Sequence, residues 1–206
     1  MIIVCEGRSR AQESKLEEAR PHKPMAHKLT TSYLEDSLSL FRVYKTMAER
    51  AMAQLSEEQL QATLDPEMNS IALIVKHMAG NMRSRWVGFP DADGEKPDRN
   101  RDSEFLEPPR SRDDLMRVWE EGWKHVFTAL EPLRDADLTR TTTIRGEPHS
   151  IMQAINRQIA HYACHCGQIV FLAKHLQHSN WQSLSIPRGQ SAKFNQRVAG
   201  GEASQR

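Results

Sequence analysis

The chain has 206 residues, 38% of them hydrophobic and 27% charged, and this size and composition favour one soluble domain over two. The 28 Lys and Arg residues nearly balance the 27 Asp and Glu residues, and the resulting net charge of +1 argues against a nucleic-acid-binding surface. No apolar run approaches the roughly 20 residues that a membrane span needs, which excludes a membrane protein.

Residues 1–28 alternate charged side chains, include Pro21 and Pro24, and lack apolar periodicity. Such a segment cannot bury enough apolar surface to offset its ordering entropy, so we predict a disordered N-terminal extension, with Met25 as an alternative start. We place a folded domain at residues 29–180 and a C-terminal tail, frayed at its end, at residues 181–206.

Apolar residues recur at helical spacing in four segments, which predict long amphipathic helices over residues 31–55, 69–86, 111–130 and 150–178. The last three segments begin at Asn or Ser residues, which suit a helix N-cap. Residues 137–148 contain a β-branched run that predicts a short extended piece or hairpin before the last helix. The sequence therefore predicts an all-α helical bundle with one short extended segment.

The nine histidines are the unusual feature of the composition. His161 and His165 stand four residues apart on the fourth predicted helix, so they share one face, which Gln168 extends. His77 lies on the second predicted helix, with Asn81 one turn after it. On each helix the histidines fall on the flank of the apolar face, a position that suits a metal at the open end of a bundle.

Three neutral imidazoles and a water match an open, catalytic type of zinc site, and the same ligand set suits nickel or iron. The alternative is coincidence, because a chain with nine histidines can place two of them four residues apart by accident. Cys164 could replace a histidine, although it projects about 100° away from His165. His125 and His175 are interpreted as surface residues.

The three cysteines, Cys5, Cys164 and Cys166, are too few for a disulfide framework. Cys164 and Cys166 are also too close along a helix to bridge each other, because their side chains leave in different directions. The first residues of the chain lack the basic region and the apolar stretch of a signal peptide. We therefore expect a reducing, cytoplasmic setting.

Arg99, Arg101 and Arg110 lie in a long charged loop between the second and third predicted helices. They could hold an anionic substrate, but such arginines more often form surface ion pairs, here with neighbours such as Asp98 or Asp102, and we favour that interpretation. The sequence contains no glycine-rich phosphate loop, no G-x-S-x-G and no HExxH motif.

Two stretches resemble the DinB/YfiT-like superfamily, namely IVKHMAGN at residues 74–81 and AHYACHCGQ at residues 160–168. Four further stretches resemble a bacterial branch of it that is catalogued only as a domain of unknown function: residues 94–97, 99–102, 144–149 and 183–189. The resemblance covers about residues 29–195. It implies an up-down four-helix bundle, often dimeric, with a metal held by one histidine of the second helix and two of the last.

In this chain the implied ligands are His77, His161 and His165, and none of the three is missing. Better-understood relatives are similar in fold and include thiol-dependent S-transferases, a thiol-dependent isomerase and metal-dependent hydrolases. Fold and ligands therefore leave the reaction open.

We expect a cytoplasmic enzyme that binds a divalent metal, zinc or nickel, and activates a thiol or water nucleophile. Asn81 and Gln168 are candidates to orient substrate or water. No carboxylate on either histidine stripe offers itself as a base, which favours thiol S-transfer over the alternative, a metal-dependent hydrolase. A non-enzymatic metal-binding or interaction module is the rival from another class. The expected partners are a small-molecule substrate, for which a low-molecular-weight thiol is the candidate, and a second copy of the chain in a homodimer. We expect binding neither to nucleic acid nor to a membrane.

Overall fold

A computed structural model of the chain describes residues 29–203. The predicted extension at residues 1–28 lies outside the described residues, as do residues 204–206. The described part is mostly helical, and its only sheet has two strands. None of its helices is long and apolar enough to cross a membrane.

Four long helices occupy the four segments in which the sequence predicts helices, and two shorter helices lie outside them. The helices are α1 (Tyr33–Met52), α2 (Glu57–Gln61), α3 (Ile71–Trp86), α4 (Arg112–Leu130), α5 (Ile151–Gln177) and α6 (Ser191–Ala199). The strands are β1 (Thr141–Ile144) and β2 (Glu147–Ser150).

Each long helix begins after a serine whose hydroxyl oxygen accepts the backbone N–H three residues further on. These serines are Ser32, Ser70, Ser111 and Ser150. The bond satisfies one of the N–H groups that the first turn of a helix leaves without an intrahelical partner. The predicted starts of the last three long helices are therefore confirmed to within two residues.

The core lies between the long helices, where α1 packs on α5, and α3 packs on both α4 and α5. Trp119 and Trp123 of α4 are fully buried, and the ring of Phe41 of α1 contacts the rings of Trp123 and of Tyr162 of α5. Gly122 permits the close approach of α4 to α3, because a Cβ there would lie 3.0 Å from the Cα of Ala79.

The β-branched run predicted as an extended piece or hairpin forms an antiparallel hairpin, in which Ile144 pairs with Glu147 across a two-residue turn. Both turn residues, Arg145 and Gly146, have positive φ, as the tight hairpin turn requires. The carboxylate of Asp93 accepts hydrogen bonds from their two N–H groups at 2.8 and 2.7 Å. The loop after α3 is thereby fastened to the hairpin that leads into α5.

The compact unit that contains the long helices runs from Leu29 to Gly189, beyond the predicted domain end at residue 180. Trp181 and Leu184 pack against the core, and the N–H of Gln182 donates to Oε1 of Gln54 at 2.8 Å. The two apolar side chains follow no helical period, so their burial leaves no signal in the sequence pattern. The predicted C-terminal tail also contains α6, a helix in the separate unit that follows.

Candidate metal centre

The packing of α3 on α5 brings the three predicted ligands together. One ring nitrogen from each of His77, His161 and His165 lies within 4.8 Å of the other two. Within residues 29–203, this is the one group of three histidine, cysteine or carboxylate side chains close enough to share a metal ion. The fold therefore places the three candidate ligands side by side.

Local helix geometry explains the cluster. His161 and His165 lie one turn apart on α5, and their ring centroids are 4.5 Å apart. The His77 ring, on α3, lies 5.5 Å from the ring of His161 and 5.0 Å from the ring of His165. His77 is buried, whereas the two α5 histidines are half-buried, so the cluster lies at the edge of the core as the sequence predicts.

Asn81 and Gln168, the predicted orienting residues, occupy different places. The side-chain oxygen of Asn81 accepts a hydrogen bond from the Tyr162 hydroxyl at 3.2 Å, and that hydroxyl accepts one from Nε1 of Trp86 at 2.9 Å. All three residues are buried, so Asn81 joins α3 to α5. Gln168 is exposed.

Gln168 contacts a member of the cluster, because its Oε1 lies 2.8 Å from Nδ1 of His165. An amide oxygen can only accept, so Nδ1 of His165 carries the hydrogen and Nε2 keeps its lone pair. Gln168 thus orients a candidate ligand, whereas its predicted role toward substrate or water stays a prediction.

His77 has the corresponding partner in Glu104, a residue that the sequence analysis did not identify. Nδ1 of His77 lies 2.8 Å from Oε2 of Glu104, and both side chains are buried. A carboxylate accepts, so Nδ1 donates, and the neutral ring then has its lone pair on Nε2. No sequence pattern connects Glu104 with His77, because Glu104 lies in the loop between α3 and α4, 27 residues after His77.

The prediction that Arg99 forms a surface ion pair with Asp98 or Asp102 is wrong. Its side chain is 4% exposed, and it donates to Glu104 from Nε at 2.7 Å and from a terminal nitrogen at 3.0 Å. Asp98 pairs instead with Arg83. The loop folds back on α3, which neighbours in sequence cannot reveal. Although burial alone raises the pKa of Glu104, the hydrogen bonds from His77 and Arg99 hold it below its ordinary value.

His161 supplies the test of whether this cluster fits a metal ion. Its Nε2 atom is buried and has no hydrogen-bond partner. A buried polar nitrogen without a partner is unfavourable, and a cation at that nitrogen would satisfy it. With Nε2 also available on His77 and His165, the donor set is three imidazole nitrogens, which fits zinc, nickel or iron.

Burial also sets the charge of the two α5 histidines. Burial, with the neighbouring His165 and His77 rings, lowers the pKa of His161 to about 3. Burial likewise lowers the pKa of His165, although its bond to Gln168 acts in the opposite direction. Both rings are therefore neutral at pH 7, and only the neutral ring has a lone pair for a metal.

A surface groove of about 250 Å³ adjoins the cluster through Gln168. The other residues that line it are Glu67, Met68, Asn69, Ile74, Phe171 and Leu172. Most of these side chains are apolar, and none is a lysine or arginine. The groove therefore suits a partly apolar group that carries no negative charge.

The family model described as "Protein of unknown function (DUF1572)" matches residues 28–190. Among solved structures, the crystal structure of a DinB-like protein from Bacillus cereus matches with a TM-score of 0.53 and 16% sequence identity. That alignment covers 75% of this chain and 99% of the other. At this identity the likeness concerns the fold alone. A comparison with curated proteins finds no match.

Proposed function

The chain belongs to the DUF1572 family, and from this premise we propose that it is a divalent-metal-binding protein of the DinB-like type that acts as a metal-dependent enzyme. The proposed ligands are Nε2 of His77, His161 and His165, with zinc or nickel as the metal. The proposed architecture is an up-down four-helix bundle of α1, α3, α4 and α5, which the packing of α3 on α4 and α5, and of α1 on α5, supports.

The observation that carries the proposal is the buried, unpartnered Nε2 of His161 beside two other imidazoles. Hydrogen bonds to Glu104 and Gln168 account for Nδ1 of His77 and His165, and leave their Nε2 atoms available. Outer partners of this kind typically orient histidine ligands in metalloproteins.

An open site is favoured over a closed structural one. The cluster has three members and does not include Cys164, and Oε1 of Gln168 is bonded to Nδ1 of His165, whereas structural zinc sites have four protein ligands. When bound, a divalent cation supplies a positive charge that lowers the pKa of a thiol or water, so that a nucleophile is available at neutral pH.

Thiol S-transfer is the proposed reaction. Glu104 is the carboxylate bonded to the cluster, and His77 and Arg99 occupy both of its oxygens, so it is not free to act as a base for water. In S-transfer the thiol sulfur forms a bond to an electrophilic carbon, the leaving group departs with its electron pair, and the thiol proton passes to solvent. We place the apolar part of the substrate in the groove beside Gln168. A metal-dependent hydrolase is the alternative.

The test begins with elemental analysis of purified protein that has been stripped with a chelator and reloaded. One equivalent of zinc or nickel per chain is expected. The loaded protein is then assayed with 2-mercaptoethanol and 1-chloro-2,4-dinitrobenzene, and the released chloride and coloured thioether are measured against metal-free protein. Protein that retains no divalent metal after dialysis would contradict the metal site. Metal without thiol transfer, but with ester hydrolysis, would favour the alternative.

A further inference from the structure

The loop between α3 and α4 contacts His77 in two ways. Oε2 of Glu104 accepts the hydrogen bond from Nδ1 of His77 at 2.8 Å. The next residue, Phe105, stacks its ring on the imidazole, with centroids 4.7 Å apart and planes inclined by 26°. The Glu104 contact fixes the hydrogen on Nδ1, and the Phe105 contact restricts the rotation of the imidazole ring.

Arg99 holds Glu104 in place from the other side. Its Nε donates to Oε1 at 2.7 Å, and a terminal nitrogen donates to Oε2 at 3.0 Å. The exposed fractions of the Arg99 and Glu104 side chains are 4% and 8%. A paired, two-point contact of this kind fixes the carboxylate in one orientation, and its charge is compensated although it is buried.

The surface of α3 is shaped to admit this carboxylate. Gly80 lies one turn after His77, and a Cβ at that position would lie 2.4 Å from Oε1 of Glu104 and 2.7 Å from its Cδ. Almost any other residue would therefore push Glu104 away from His77. A glycine inside a helix is less favourable than alanine, and the close approach of Glu104 accounts for its presence here.

We propose that Glu104 is a positioning residue of the metal centre, which keeps His77 in the tautomer with hydrogen on Nδ1 and so presents the Nε2 lone pair to the ion. The metal-affinity part of this inference rests on the proposed function. Glu104 positions a ligand rather than serving as one, because it is not part of the three-histidine cluster. Loss of such an outer partner typically lowers metal affinity by 10–100-fold.

The tautomer is measured first, on metal-free protein at pH 8 with ¹⁵N-labelled histidine. Long-range ¹H–¹⁵N spectra distinguish a protonated Nδ1 from a protonated Nε2. In the wild type we expect His77 to carry its hydrogen on Nδ1, and in Glu104→Ala we expect a mixture of both tautomers. A wild-type His77 with its hydrogen on Nε2 would overturn the proposal without any variant being made.

Zinc affinity is measured next, by competition with a chromophoric chelator. Glu104→Ala, which removes the acceptor of the Nδ1 hydrogen, is expected to weaken zinc binding by 10–100-fold. The matched control is Glu95→Ala, because Glu95 lies in the same loop and pairs with Arg85, Arg99 and Arg145, but contacts no histidine. Its zinc affinity is expected within about threefold of the wild type.

A merely structural role for Glu104 would lower the thermal stability of Glu104→Ala and leave the His77 tautomer and the zinc affinity unchanged. That outcome would overturn the proposal. If the wild type binds neither zinc nor nickel, the proposed function fails, while the tautomer spectra still decide the role of Glu104. If the wild type binds zinc and Glu104→Ala binds it equally well, the positioning role fails and the metal site stands.

Discussion

The imidazole rings of His77 and His165 lie 5.0 Å apart, although they belong to two different helices. Each ring donates its Nδ1 hydrogen to a side-chain oxygen, from Glu104 in one case and Gln168 in the other. This pairing matters because it gives both rings the same tautomer before any ligand arrives. The site is therefore organised by its outer partners as much as by helix spacing.

Replacement of any one of the three clustered histidines by alanine should remove most of the bound metal. Loss of a ligand is expected to weaken binding by more than the 10–100-fold that loss of an outer partner causes. Zinc per chain, after dialysis against a weak chelator, measures the effect. His175→Ala is the control, because His175 is exposed and outside the cluster. A His161→Ala protein that kept a full equivalent of zinc would refute the trihistidine site.

Gly80→Ala should destabilise the protein although alanine is the better helix former. The added methyl would meet Oε1 of Glu104 at 2.4 Å, and overpacking of this kind typically lowers the free energy of unfolding by about 1–3 kcal/mol. Displacement of Glu104 should also weaken zinc binding. Urea unfolding and zinc competition measure the two effects.

Gly167→Ala is the matched control for that experiment. Gly167 is exposed on α5, and a Cβ there would have no atom within 4 Å. Helix propensity alone then acts, and the free energy of unfolding should rise by up to about 1 kcal/mol. Equal effects of the two substitutions would mean that Glu104 moves aside freely, which contradicts the close fit at Gly80.

The parts of this fold that the sequence predicts are those with local causes. A capping serine acts within one helical turn, so the sequence alone predicts the helices that follow Ser70, Ser111 and Ser150. The four-residue spacing of His161 and His165 likewise places both on one face of a helix. Which helix supplies the third histidine depends on packing. The flank position of His77 made it a candidate, and the family resemblance implied that it is a ligand.

The contacts of the loop could not be predicted in the same way. Glu104 and Arg99 are five residues apart in a charged segment without periodicity, and their burial results from the loop folding back on α3. A buried carboxylate is rare unless it is paired, so a sequence rule treats such residues as exposed. Gly80 is a weak local signal, because an isolated helical glycine can have several causes.

Self-association stays a prediction. Leu106 and Phe171 have exposed fractions of 63% and 67%, and large exposed apolar side chains can mark an interaction surface. We expect light scattering at tens of micromolar to give the mass of a dimer. A monomer mass at that concentration would contradict this expectation and leave the metal-site predictions unaffected.

Asp93→Asn should make the stability of the protein less dependent on pH in the acid range. The Asp93 carboxylate accepts hydrogen bonds from the N–H groups of Glu95, Gly146 and Arg145, at 2.7, 2.7 and 2.8 Å, and these bonds hold its pKa well below its usual range. A carboxyl group whose pKa is lower in the folded than in the unfolded state stabilises the fold above its unfolded pKa of about 3.9. That stabilisation is lost as the pH falls toward the folded value.

The variant should therefore be less stable than the wild type at pH 7, with the difference shrinking between about pH 4 and pH 2, as urea midpoints at several pH values would show. Asp102→Asn, at an exposed position of the same loop, should follow the wild type throughout. A constant difference between Asp93→Asn and the wild type across this range would mean that the charge of Asp93 does not hold the hairpin.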